Sequence, residues 1–351
     1  MDKNKHFFDI YSGNANKTIA LRDKYDRDIV AGSSHTLLEP VVSNFLFESG
    51  FRPQYPGGYP FAVCLSHDID LLYKKESNKP VYYGGFKNIA NISLYEVKRR
   101  LMKERQVIHN EWCLSRLMQA NEKVSARSSY YFLSLDENEE DYNYVVSDPF
   151  VIDYFSQIKE SRSEVGLHGG HRAYNNADKI AVEKNKLQES AKINIVGYRN
   201  HYLRMITPET WVNLRNNHFL YDTTFGYAGS AGFRNGMCYP FRPFDTSTGQ
   251  YLDIVEIPLH IMDVSLFHYM DFSKQEIMDF IKLMVQKIKR VKGVLTILWH
   301  NDKMTNGLDL VYTEILDYLQ NQDACFMTGR ELVSHYKEQD YFSKMESVFG
   351  V

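Results

Sequence analysis

The chain has 351 residues, enough for one large barrel-type domain or two small ones. Hydrophobic residues make up 44% and charged residues 24%, the ordinary balance of a globular protein. Lys and Arg (41) against Asp and Glu (44) leave a net charge of −3, which gives no electrostatic footprint for nucleic acid or an anionic membrane. The four Cys are far apart and lack zinc-finger or redox spacing. Cys64 and Cys325 sit in apolar runs and read as buried thiols, which suits a reducing compartment. The start, Met1-Asp2-Lys3-Asn4-Lys5, leads into polar sequence, and no stretch reaches membrane-spanning length. A cytoplasmic protein without a membrane span is expected.

Residues 1–59 are weakly patterned and read as an N-terminal arm or the remnant of an upstream domain, with Val41–Phe47 either a strand or a short helix. A Pro/Gly/Tyr loop, Gly50 to Pro60, marks a boundary. Phe61–Leu65 is an unbroken apolar run, the pattern of a strand buried on both faces. It ends in Ser66-His67-Asp68-Ile69-Asp70, groups that are costly to bury unless they bind something. Residues 71–109 read as an insertion, Glu111–Asn121 as a helix, Ser128–Leu133 as a strand and Asp136–Asp141 as an acidic loop.

From there helices and strands alternate. Helices are expected from Pro149 to about Lys159, over Ala177–Ala191, and behind Thr207-Pro208-Glu209 to Asn217. Strands are expected over Glu164–Leu167, Ile193–Gly197 and Phe219–Asp222. After a Gly-rich loop, Gly226–Asp245, comes a strand at Asp253–Leu259. The capping box Ser273-x-x-Glu276 opens a helix with Ile277, Phe280, Ile281, Met284 and Ile288 on one side. Val294–Trp299 (strand), Val311–Gln320 (helix), Ala324–Met327 (strand) and a helix capped by Thr328 and Glu331 complete a unit over 60–340, and 341–351 reads as a tail. Strict alternation of about seven or eight strands with helices predicts an α/β (β/α)7-8 barrel with parallel strands.

Chemistry-bearing residues gather just past the strand ends: His67, Asp68 and Asp70; His168 and His171; Arg199 and His201; Asp222; His260 and Asp263; His300 and Asn301. In a parallel barrel these converge on one face. Asp68 and Asp70 are a turn or cap, or a pair split between a hard cation and a base. His168 and His171 are a solvated loop, or imidazole ligands of zinc or a related ion. Arg199 is a surface ion pair or the holder of a catalytic carboxylate, and His300 is a satisfied core histidine or a general acid.

Five stretches resemble the polysaccharide deacetylase superfamily of metal-dependent carbohydrate esterases: Ser66–Asp70, Gly166–Gly170, Gly197–Arg204, Tyr221–Tyr227 with Pro240-Phe241, and Leu298–Asn301. The similarity is strongest to the bacterial branch with a His-Asp-x-Asp motif and runs from about Pro60 to Glu338. It implies a distorted barrel and removal of an N-acetyl group from an amino sugar of a glycan or glycan precursor. One divalent ion, zinc first among the choices, would be the cofactor. By the same resemblance Asp68 is the general base, Asp70 and His168 are metal ligands, Arg199 orients the base, and His300 protonates the leaving amine. His201, Tyr202, Asp222 and Trp299 are expected to bind substrate. The family's second His ligand follows the first by four residues, where this chain has Arg172; His171 is the expected substitute, with His201 or water as alternatives. Two other functions stay open: a silent sugar-binding module on the same barrel, and a hydrolase of a small-molecule amide.

Overall fold

The computed structural model describes residues 3–13, 22–29, 35–72, 109–134 and 144–350. Most of the expected insertion at 71–109 and all of the acidic loop Asp136–Asp141 lie outside them. The first strand, β1 (Phe61–Ile69), is buried at every position and forms the centre of the sheet. It pairs in parallel with β10 (Val294–Leu298) on one side. On the other, its first residues pair with β11 (Ala324–Phe326) and its later ones with β2 (Ser128–Leu133). Beyond β2 lie β3 (Glu164–Gly169), β4 (Gly197–Asn200), β5 (Tyr221–Asp222) and β8 (Val255–Glu256); beyond β10 lies β9 (Ile261–Met262). Every ladder of this sheet is parallel. The sheet curls into a distorted barrel with no ladder between its last strands, β8 and β9. A separate antiparallel hairpin, β6 (Phe244–Asp245) and β7 (Gln250–Tyr251), stands in the long loop.

Ten α-helices are described: α1 (Lys3–Tyr11), α2 (Val41–Glu48), α3 (His109–Lys123), α4 (Pro149–Glu160), α5 (Ala177–Ala191), α6 (Glu209–Asn216), α7 (Lys274–Arg290), α8 (Leu308–Asn321), α9 (Gly329–Glu338) and α10 (Tyr341–Phe349). The helical periodicity of α7 is realised as expected, with Ile277, Phe280, Ile281, Met284 and Ile288 all buried and both halves of the Ser273–Glu276 capping box made. Ile281→Ala is expected to remove about 2–5 kcal/mol of unfolding free energy, against about 1 kcal/mol for loss of the cap in Ser273→Ala. A urea titration of the two variants checks that order.

Two strands differ from their expected spans. Of the expected Asp253–Leu259 only Val255–Glu256 is paired as a strand, although Ile257 and Leu259 still donate to the Asp222 and Phe225 carbonyls. β4 begins at Gly197, four residues later than the apolar pattern suggests. Tyr rings fill the barrel interior here, and glycines on neighbouring strands make room. A Cβ at Gly197 would lie 2.2 Å from the Tyr221 hydroxyl, and one at Gly166 would lie 2.5 Å from the Tyr131 ring. Tyr131 and Tyr221 share a hydrogen bond of 2.9 Å, and Tyr221 donates to Glu164 at 2.8 Å, so these buried hydroxyls are satisfied.

The two chain ends meet. Phe7 of α1 stacks on Phe45 of α2 at 4.5 Å, and Phe8 packs against Phe349 of α10 at 5.5 Å. Residues 341–351, expected as a tail, therefore include a helix whose Tyr341, Phe342, Met345 and Phe349 are buried.

Candidate metal centre and active site

Strand parity sorts the first motif. Alternate residues of β1 face opposite sides. Asp68 and, just past the strand, Asp70 line the cavity at the carboxyl end of the barrel. His67 points the other way, into the helix layer. Its Nδ1 donates to the Trp299 carbonyl at 2.9 Å, and its Nε2 accepts from Asn121 of α3 at 3.0 Å. Burial holds its pKa down to about 3, so it is a neutral strut rather than a site group.

Asp70, His168 and His201 form the group that could hold a cation, with one donor atom from each all within 4.8 Å of one another. His168 Nε2 lies 3.2 Å from Asp70 Oδ1, and His201 Nε2 lies 3.6 Å from Asp70 Oδ2. His168 Nδ1 donates to the Arg199 carbonyl at 3.0 Å, which fixes the tautomer and leaves the Nε2 lone pair aimed at the cluster. That Nε2 and Asp70 Oδ1 are buried and unsatisfied by any hydrogen bond. Two acceptors turned on each other out of water are costly unless a cation lies between them. The donor set, two imidazoles and a carboxylate, suits zinc or a related divalent ion with coordination positions left open.

Asp68 and His300 lie beside this cluster. The Asp68 Oδ1 oxygen is 3.4 Å from Arg199 Nη1, and its Oδ2 is 3.7 Å from His168 Nε2. Arg199 is fully buried and held by Thr223, whose carbonyl and hydroxyl accept from Nε and Nη2 at 3.1 and 3.0 Å. His300 Nε2 is 3.7 Å from Asp70 Oδ2. Its Nδ1 donates to Asp263 Oδ1 and its backbone N–H to Asp263 Oδ2, both at 2.7 Å. Asp68, Asp70, His201 and His300 border one cavity of about 190 Å³, with Tyr202, Tyr269 and Arg27 among the other lining residues.

This architecture matches solved structures. A candidate polysaccharide deacetylase from Mycobacterium smegmatis superposes with a TM-score of 0.56 at 15% identity, covering 82% of this chain and 94% of that one. The chain has the polysaccharide-deacetylase fold. Two looser likenesses carry no further argument. One is a candidate polysaccharide deacetylase of O-antigen biosynthesis from Bordetella bronchiseptica (TM-score 0.40, 13% identity, 81% and 93% covered). The other is a family 4 acetyl xylan esterase from Clostridium thermocellum in complex with a cobalt ion (0.39, 12%, 78% and 90%). No family model matches the sequence, and no curated protein does.

The deacetylase-like barrel distributes the expected site residues unevenly. Asp68, Asp70, His168, Arg199 and His300 come together. His171 stands apart from the donor cluster, with Arg204 Nη1 3.0 Å from its Nδ1 and the Tyr202 ring against its edge. The third member of the candidate donor set is His201, expected from the sequence as a substrate contact and as an alternative to His171 for the third ligand. The chain turns sharply after β4, with positive φ at Tyr202 and Leu203, and carries the His201 ring to within 5.0 Å of His168's. Tyr202 lines the cavity as expected. Trp299 does not: it is fully buried between Tyr312 and Phe267. Asp222 is also fully buried and not among the cavity-lining residues, and accepts from the Thr224 N–H and hydroxyl.

Asp222 and Glu256 face each other across β5 and β8 as an acid pair. Burial first, then the Asp222 charge, push the Glu256 carboxyl well above its usual range. The folded protein therefore keeps a proton that the unfolded chain releases. The resulting stability is complete below about pH 4 and is lost as pH rises through the raised folded pKa. Glu256→Gln is expected to flatten that loss, its urea midpoint falling less than the wild type's between about pH 5 and about pH 8.

Proposed function

We propose that the protein is a metal-dependent hydrolase that removes an N-acetyl group from an amino sugar of a glycan or glycan precursor. The observation that carries this reading is the convergence of a two-His, one-Asp donor set with Asp68 on Arg199 and His300 on Asp263 around one cavity. When bound, a divalent ion, zinc first, supplies Lewis acidity to an acetamide oxygen and to a water. Asp68, held through Oδ1 by Arg199, takes a proton from the attacking water at its other oxygen. His300 gives the Nε2 proton to the departing nitrogen and recovers its orientation through Asp263. Acetate and a free amine leave.

The cavity is smaller than the roughly 300–1,000 Å³ of pockets that enclose a drug-sized ligand. It suits one sugar unit, with the rest of a larger substrate outside. The alternative of a silent sugar-binding module took its motive from Arg172 in the usual ligand position; His201 answers that motive. Acetate release from a panel of N-acetylated sugars and glycans tests the reading. Release is expected with metal-replete protein and is expected to stop on chelation and resume on readdition of zinc; no release from any member of the panel by zinc-loaded protein rejects it.

A further inference from the structure

We propose that Arg27 makes this cavity selective for a sugar bearing an anionic, oxygen-rich substituent, a carboxylate or a phosphate. The inference rests on the deacetylase reading of the same site.

Arg27 belongs to a segment, residues 22–29, far ahead of β1 in the chain, yet it lines the cavity beside His201 and Tyr202. The segment is a tight turn. Arg22 and Asp28 bridge in antiparallel fashion, and the Asp23 N–H donates to the Arg27 carbonyl at 3.0 Å. It is pinned to the barrel at several points. Asp28 pairs with Arg234, the Tyr174 hydroxyl donates to Asp26 at 3.2 Å, and the Tyr25 ring lies 4.9 Å from that of Tyr202. So many anchors make it a wall of the cavity.

Arg27 as a residue is only 8% exposed. Its Nε and Nη2 face Asp23 Oδ2 at 2.6 Å, and Nη2 also donates to the Tyr269 hydroxyl at 3.1 Å. Nη1 makes only a long contact of 3.4 Å with the Tyr202 carbonyl. A guanidinium has five N–H donors in a fixed fork. Here Asp23 orients the fork from behind while the Nη1 edge keeps donor capacity toward the cavity. Asp23 already pairs the charge, so what Arg27 offers the cavity is a charge-assisted donor, where an amide side chain would serve hydroxyls as well. With Nε and Nη2 engaged, the remaining donor is on Nη1, and a guanidinium N–H makes its strongest hydrogen bond to a carboxylate or phosphate oxygen. Tyr202 and Tyr269, 37% and 43% exposed, flank the same opening and offer faces for a sugar ring.

Calorimetric binding of three product-like amino sugars to metal-loaded protein tests this: glucosamine, glucosamine 1-phosphate and muramic acid. They share the amine and differ in the anion, so the last two separate phosphate from carboxylate. Wild type is expected to bind at least one anionic probe about tenfold tighter than glucosamine, a gain that fades with added salt. Arg27→Gln is expected to erase that preference while glucosamine affinity stays within about twofold, and Arg27→Lys to keep part of it. Equal binding of all three probes by wild type, or an undiminished preference in a folded Arg27→Gln, overturns the proposal. Because binding needs no turnover, the two readings fail separately. An Arg27-dependent preference without acetate release from any sugar sinks the deacetylase reading and leaves this one standing.

Discussion

Protein saturated with zinc is expected to hold one ion per chain, and His168→Ala or His201→Ala is expected to weaken that binding more than about 100-fold, beyond the 10–100-fold typical of losing an outer partner. His171→Ala is expected to hold the ion as the wild type does. The contrast follows from geometry: His201 Nε2 is 3.6 Å from Asp70 Oδ2, whereas the His171 ring lies against Arg204. Acetate release should follow metal content across the three variants. Elemental analysis of dialysed protein reads the first quantity and an acetate assay the second. A His201→Ala protein that retains its zinc would make His171 or water the third ligand after all.

Much of this arrangement is legible in the sequence because it follows strand ends. Apolar β1 and β10 each run into a polar residue that a parallel barrel must place at its carboxyl face, so Asp68, Asp70 and His300 could be brought together without coordinates. The helices announce themselves by periodicity and by capping boxes at Ser273 and Thr328. Short strands are harder: β5 and β8 fall inside the longer expected Phe219–Asp222 and Asp253–Leu259, while β9 and the β6–β7 hairpin, two residues per strand, are too short for any pattern.

His171 was put ahead of His201 as third ligand because a spacing rule outweighed parity. His168 and His171 look like a pair along the sequence, but β3 ends at Gly169 and the chain turns away before His171. Arg199 and His201 are two apart at the end of β4, a spacing that puts both on one face. That parity was the available signal, and it also explains why His67 faces the helices. Asp222 and Trp299 were drawn into the site by proximity to motif residues. Their burial involves partners distant in the chain, Glu256 across the sheet and Tyr312, that no local pattern reveals. Arg27 had no signal at all, since nothing in a weakly patterned arm predicts where it will dock.

Asp263→Asn is expected to slow acetate release about 100- to 10,000-fold near neutral pH, the range associated with losing a positioned acid. Asp263 is fully buried and spends both oxygens on His300, one on Nδ1–H and one on the backbone N–H. Burial alone would strip the proton from this imidazole. Asp263 first, then Asp70 and Asp68, reverse that and raise its pKa to about 10. The acid at Nε2 is therefore charged at neutral pH, and its own titration should lower activity on the alkaline side. A cation held by Asp70 cancels that carboxylate's pull, so the loaded protein's alkaline limb lies below 10, but Asp263 still acts. In the variant, an amide replaces the charge and sets an NH2 against one of the two His300 donors. The alkaline limb should then move down toward the ordinary imidazole value of about 6.5. Stability follows the same sign. A raised histidine pKa contributes fully below about 6.5 and loses that contribution as pH rises through about 10. The variant should therefore show a flatter stability profile over that interval as well as a displaced rate profile. A full-rate Asp263→Asn with its alkaline limb unmoved would remove His300 as the acid, leaving the proton for the departing nitrogen to come from water.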